Sequence, residues 1–240
     1  MSPGKAAKRK MNPAVVIAIT GLAGTIITAL FSSPVIIKLI ENASATEPAS
    51  TEATDAEPAS GTLVFEEDFE DGVATGFSFD LGEWNIVKDK SNRVLELKAI
   101  TPSEDILADA PFGPSEFGDG VIELQVKYIE FGSFYLFFRE QTGTKYALYM
   151  MSDQLILGYL TLEGHITPLN ETTSYDNTIE TNIWYTLRLK TRGEQLTLYL
   201  NGNRIFSAAD DRLRAGDLGL AADPGSVIYF DNLKIWSYDQ

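Results

Sequence analysis

Aromatic side chains that alternate with amides, carboxylates and a guanidinium carry most of the chemistry in this sequence. Glu123 and Gln125 are interleaved with Ile122, Leu124 and Val126; Tyr135, Phe137 and Arg139 are interleaved with Phe134, Leu136 and Phe138. Tyr149 stands between Leu148 and Met150 in the same way. Successive side chains of a strand point to opposite faces, so this pattern predicts a core made of the aliphatic set together with Tyr128 and Tyr146. It sends Glu123, Gln125, Lys127, Tyr135, Phe137, Arg139 and Tyr149 outward. Aromatic faces suit the C–H surfaces of sugar rings, while amides, carboxylates and guanidinium groups suit their hydroxyls. Glu123, Gln125, Tyr135, Phe137, Arg139 and Tyr149 are therefore the candidate ligand-binding residues. The alternative is an aromatic-rich strand face covered by a loop or a neighbouring sheet, since strands favour aromatic residues in any case.

Other chemistries are poorly supplied. The chain has no cysteine, which excludes disulfides, thiol nucleophiles, Cys-ligated zinc and a lipidated cysteine. His165 is the single histidine, and no Gly-x-Ser-x-Gly elbow accompanies it. The formal net charge is −15, although Lys5, Lys8, Arg9 and Lys10 crowd the first ten residues with no acid among them. The acidic remainder repels phosphate backbones and argues against nucleic acid as a partner.

The elements that must position these residues begin after a different kind of segment. Residues 14–37 carry no charge, and their apolar side chains surround every side of a helix. Such a run meets the requirement of about 20 apolar residues for crossing a bilayer and exceeds the apolar stretch of a cleaved signal peptide. The sequence thus predicts a basic cytoplasmic tail over residues 1–11, a transmembrane signal-anchor helix over 12–40 and a disordered Ala/Ser/Thr/Glu/Pro linker over 41–61, with Glu-Pro-Ala-Ser occurring twice. The basic flank orients the N-terminus to the cytoplasm and places the C-terminal part outside the cell membrane.

From residue 62 onward, short alternating runs rich in Val, Ile, Leu, Phe and Tyr are punctuated by Gly, Asn, Asp and Pro. The clearest cover residues 120–128, 134–139, 145–151, 154–161, 183–190, 195–200 and 227–236. Asn201-Gly202 between 195–200 and 204–207 is a type I′ hairpin signal. The fold class is all-β: a two-sheet antiparallel sandwich over 62–240, of the jelly-roll kind that the family resemblance of its motifs implies.

Three passages carry a family resemblance. They are Trp184-Tyr185-Thr186-Leu187-Arg188-Leu189 with Gly193 and the hairpin 196–202; Phe65-Glu66-Glu67-Asp68-Phe69-Glu70-Asp71-Gly72; and Gly216-Asp217-Leu218-Gly219-Leu220 leading to Phe230-Asp231-Asn232-Leu233-Lys234-Ile235-Trp236. Together they resemble the concanavalin A-like lectin/glucanase superfamily, including laminin-G-like, family 16 glycosidase-like and keto-disaccharide-hydrolase-like domains. The last two passages are similar to the paired terminal strands of such domains.

The resemblance implies two things about sites. Active family 16 glycosidases carry their acids on one strand at an E-x-D-x-E-type spacing, which sets carboxylates about 5–5.5 Å apart for retaining hydrolysis. Residues 145–151 contain no carboxylate, so no catalytic residue is assigned, and an enzyme would have to pair Glu123 with Glu140 or Asp153. A calcium ion often joins the first and last strands of these domains, and Glu67, Asp68, Gly72 and Asp231 hold the matching positions. Hard oxygen ligands of this kind suit Ca2+; a hydrogen-bonded Asp-Asn turn explains them equally well. The expected function is a membrane-anchored extracellular carbohydrate-binding module with a glycan or glycoconjugate partner. A glycoside hydrolase and a protein adhesion module are the alternatives.

Overall fold

The described residues form fourteen strands in the order β1 (Thr62–Glu67), β2 (Glu83–Asp89), β3 (Asn92–Lys98), β4 (Ala108–Phe117), β5 (Gly120–Glu130), β6 (Ser133–Gln141), β7 (Thr144–Met151), β8 (Leu155–Leu160), β9 (Ile166–Pro168), β10 (Tyr185–Arg192), β11 (Gln195–Leu200), β12 (Asn203–Ala209), β13 (Gly216–Ala222) and β14 (Val227–Ser237). This computed structural model describes residues 61–99, 108–130, 132–161, 164–169 and 179–238. The predicted tail, membrane span and linker through residue 60 lie outside the described residues. Among the described residues no helix is long and apolar enough to cross a membrane.

Two antiparallel sheets result. Eight strands form one, in the order β12-β11-β10-β5-β14-β3-β2 with β1 on the far half of β14; six form the other, in the order β4-β13-β6-β7-β8-β9. β1 pairs with β14 from Thr62 opposite Ser237 to Glu67 opposite Leu233, which closes the chain ends of the sandwich as the terminal motifs imply.

Turn chemistry fixes the registers. Asn201 and Gly202 take φ of 50° and 80°, the left-handed pair that a two-residue hairpin requires. Along β10 every second residue, Tyr185, Leu187, Leu189 and Thr191, is buried. The predicted inward set is fully buried: Ile122, Leu124, Val126 and Tyr128 from one sheet meet Phe134, Leu136, Phe138, Tyr146, Leu148 and Met150 from the other in one continuous core. At about 1.5–3 kcal/mol for each large apolar side chain taken from water, this layer supplies most of what holds the sheets together.

β4 was not legible as a strand, because Pro111, Gly113 and Pro114 interrupt it. It survives at a sheet edge, where proline is tolerated. Its pairing with β13 breaks register between Gly216 and Leu218, so residues 113–116 bulge out of the ladder.

Candidate functional site

The face of the six-stranded sheet turned away from the core can be read from the cross-strand pairs. Tyr135 stands between Ala221 and Tyr149; Ala221 pairs onward with Asp109, and Tyr149 with Ile156. In the next row Phe137 stands between Gly219 and Ala147, and Ala147 pairs onward with Gly158. The small residues Ala221, Gly219, Ala147 and Gly158 keep the sheet low around Phe137, so the taller tyrosines rise from a shallow floor.

At one end of this face a single carboxylate gathers three hydroxyls. Tyr135 Oη donates to Asp223 Oδ1 at 3.0 Å and Tyr149 Oη to Asp223 Oδ2 at 3.4 Å, while Ser133 Oγ donates to Oδ2 as well. The two tyrosine rings lie 4.7 Å apart at 31°. Burial, followed by the charge of Asp223, pushes the Tyr135 phenol up, so it remains a donor throughout the neutral range. An ion pair occupies the other end: Lys145 Nζ meets Glu140 Oε1 at 2.8 Å and sits 4.2 Å above the Phe137 ring. Asp109 shares this face. Burial raises its carboxyl above 3.8; Lys145 opposes the rise, and Glu140 and Asp80 add to it.

Of the six predicted ligand residues, Tyr135, Phe137 and Tyr149 come together here. Phe137 is only 2% exposed, covered in part by the Lys145 stem and packed with Ala147, Leu160 and Ala221, so it forms floor and not a stacking surface. Glu123 and Gln125 do not join them. β5 belongs to the eight-stranded sheet, whose outward face looks in the opposite direction. There Arg188 Nη2 meets Glu123 Oε2 at 2.6 Å, and Asn232 Nδ2 donates to Gln125 Oε1 at 3.2 Å. The physical reason is that alternation separates core from solvent, and a sandwich has two solvent sides. The same geometry separates Glu123 from Glu140, and Asp153 lies in the exposed turn between β7 and β8, so the alternative catalytic pairs do not converge.

Arg139 also departs from expectation. Its side chain is fully buried, because β6 loses its register between Phe138 and Gln141 and Arg139 takes φ of 53°. The guanidinium turns into the end of the sandwich, donating to Gly118 O at 3.1 Å, Gly193 O at 3.1 Å, Leu213 O at 3.1 Å and Asp119 Oδ1 at 3.0 Å. It ties three loops together and faces no ligand.

The predicted calcium residues gather near the β1–β14 pairing. Glu67 accepts the backbone N–H of Phe69 on Oε1 and of Thr75 on Oε2, both at 2.7 Å. Asp68 caps Glu70 N at 3.1 Å, and Gly72 closes the turn through its N–H to Phe69 O at 3.0 Å. Asp231 accepts from Asn92 Nδ2 at 2.6 Å and from Asn232 N at 2.7 Å. Burial pushes its carboxyl up, the hydrogen bonds from Asn92 and Asn232 oppose the rise, and the charges of Glu70 and Asp68 add to it. Among the described residues no three acidic or histidine side chains converge as a cation cage. With both Glu67 oxygens accepting backbone amides, these residues build a hydrogen-bonded turn.

Sequence reasoning missed Ser133, Lys145, Asp109 and Asp223. Ser133 and Lys145 share the two-residue period of Tyr135 and Tyr149, so alternation carried their signal. Asp109 and Asp223 sit at the ends of Pro- and Gly-containing strands far off in the chain, where only topology brings them in.

The profile of the family described as 3-keto-alpha-glucoside-1,2-lyase-like domain matches residues 71–236. The chain belongs to this family. Its membership agrees with the keto-disaccharide-hydrolase-like resemblance of the terminal motifs. No curated protein matches the sequence. Among solved structures the chain is similar to the carbohydrate-binding module CBM66 from Bacillus subtilis, at 17% identity over 68% of this chain and 96% of that one, with a TM-score of 0.54. It is also similar to domain 4 of AbnA, a GH43 extracellular arabinanase from Geobacillus stearothermophilus in complex with arabinotriose, at 15% identity over 76% and 94%, TM-score 0.53. A Bacillus licheniformis beta-glucanase aligns at 13% identity over 75% of this chain and all of its own, TM-score 0.52. These likenesses establish the jelly-roll fold that the family shares with both binding modules and hydrolases.

Proposed function

We propose that this chain is a non-catalytic carbohydrate-binding module, held at the outside of the cell membrane by its N-terminal helix and linker, that takes a glycan over the outward face of the six-stranded sheet. The observation that carries the reading is Asp223 with its three hydroxyl donors beside the Tyr135–Tyr149 pair. A carboxylate that takes hydroxyl donors and, among the described residues, no cationic partner is an acceptor that a sugar diol can engage, and the adjacent rings give its C–H face an apolar partner. Two of the similar folds are a carbohydrate-binding module and an arabinanase domain in complex with arabinotriose, which supports the same ligand class. A glycan array probed with the full-length chain tests it. Saturable binding that Tyr149→Ala weakens is expected; silence from cooperatively folded protein would sink the reading.

A second reading rests on Asp109. The family description names a lyase of 3-keto-α-glucosides. Such an elimination needs a base to take the C2 proton while the C1–O bond breaks toward the departing oxygen, which an acid then protonates. Asp109, whose carboxyl burial pushes up and which shares this face with the Lys145–Glu140 ion pair, suits the acid role. Incubating the chain with a 3-keto-α-glucoside decides it. Turnover lost in Asp109→Asn supports the lyase, and an unreacted substrate removes it.

A further inference from the structure

At the β4 edge of the six-stranded sheet, the register break against β13 opens a cavity of about 350 Å³. Half-buried Phe77 with Pro111 and Pro114 forms its apolar side, and the buried Phe112 and Leu218 lie behind them, the rings of Phe77 and Phe112 stacking at 5.3 Å and 20°. Pro111 and Pro114 stiffen the rim. Two glycines let the wall close onto the core. Gly76 at φ 80° would drive a Cβ to 2.7 Å from the Phe65 ring, and Gly113 at φ 72° would drive one to 2.8 Å from Ile235 Cδ1. The main-chain bonds Ser78 N to Pro111 O at 2.9 Å and Gly113 N to Gly76 O at 3.2 Å hold the two sides at a fixed spacing.

Three polar residues, Ser78, Ser115 and Asp217, lie along this open depression, and all three are solvent-exposed. None of them has a hydrogen-bond or ion-pair partner among the described residues. An aromatic and proline wall facing unengaged hydroxyls and a carboxylate suits a small neutral polyol ring, with one flat C–H face and several donors. A cation-free pocket containing Asp217 disfavours acidic sugars. Two of its lining residues are in register with the binding face: Pro111 shares a cross-strand row with Gly219 and Phe137, and Asp217 pairs with Glu140.

We infer that this cavity is a pocket for a single neutral sugar residue, the terminal unit of a glycan lying on the adjacent sheet face. The inference rests on the glycan reading of that face but has its own residues. The test titrates the full-length chain by calorimetry with two sets of probes. One set is the methyl glycosides of glucose, galactose and arabinofuranose; the other is the corresponding trisaccharides. At least one methyl glycoside binds, and Ser115→Trp, which fills the cavity from an exposed position, weakens it about tenfold or more, as does Asp217→Ala, while Tyr149→Ala leaves it within about twofold. Unchanged thermal melting of both cavity variants rules out unfolding as the cause. If trisaccharides bind and lose affinity only in Tyr149→Ala, the face stands and the pocket is overturned. Methyl glycoside binding indifferent to Ser115→Trp and Asp217→Ala also overturns it. If no probe of either set binds, pocket and face fall together.

Discussion

Replacing Arg139 by methionine removes a guanidinium from the end of the sandwich with little change of stem volume. Gly118 O keeps a partner, because Thr191 Oγ1 also donates to it at 2.8 Å, and Asp119 Oδ1 keeps the N–H of Gly193 at 2.8 Å. Gly193 O and Leu213 O lose the Arg139 donor at 3.1 Å each. Each buried carbonyl left without a donor costs about 1–3 kcal/mol, and relief from burying a charge, which already lowers the Arg139 pKa, returns part of it. The net loss is roughly 3 kcal/mol. With a urea m-value of about 2 kcal/mol per molar, the unfolding midpoint of the full-length chain falls by roughly 1.5 M. Arg139→Lys loses nearly as much, since one ammonium does not span three loops. Glycan affinity of the folded protein stays unchanged in both variants. A midpoint within about 0.3 M of the parent, combined with lost affinity, would refute the structural role and return Arg139 to the ligand.

Three further outcomes follow from particular contacts. Burial works against the Asp210 charge, but hydrogen bonds from Arg212 and Tyr146 outweigh it and hold the carboxyl at about 2. Its folded value lies below 3.8, so its contribution of roughly 2 kcal/mol is present above that pH and disappears as pH falls through about 2. Chemical denaturation of Asp210→Asn against the parent should show a gap at pH 5 that closes by about pH 2; a gap constant with pH would contradict the linkage. Glu67→Gln strands one of two backbone amides and costs about 1–3 kcal/mol, equally with calcium or with EDTA. Loss in calcium alone would make Glu67 a calcium ligand, as the resemblance of the terminal strands implies. Glycans bearing uronate or sulfate groups should bind more weakly than their neutral counterparts, because Asp109, Glu140 and Asp223 share the face with Lys145, which Glu140 already pairs. Equal binding in low salt would refute this charge argument.

The sandwich was readable because its strands bury one side and solvate the other. The alternation through Ile122, Leu124 and Val126 and through Phe134, Leu136 and Phe138 named the core correctly. The terminal motifs named the closing pair β1–β14, and Asn201-Gly202 named its hairpin. The site was legible only in part. Period-two alternation assigned Glu123 and Tyr135 alike to solvent, yet strand order puts them on opposite sides of the sandwich, and strand order is a long-range property. Arg139 escaped because a break in register reverses the sense of alternation at the very end of β6. Pro111 and Pro114 hid β4, and with it Asp109 and the cavity beside it.

The central claim concerns which face of the sandwich takes the glycan, and affinity measurements on matched variants of the two faces test it most directly. Tyr149→Ala and Asp223→Asn on the six-stranded sheet should each weaken binding of an array-positive neutral glycan about tenfold, while Glu123→Gln on the eight-stranded sheet leaves it within about twofold. Loss in Glu123→Gln with Tyr149→Ala and Asp223→Asn unaffected would contradict the account.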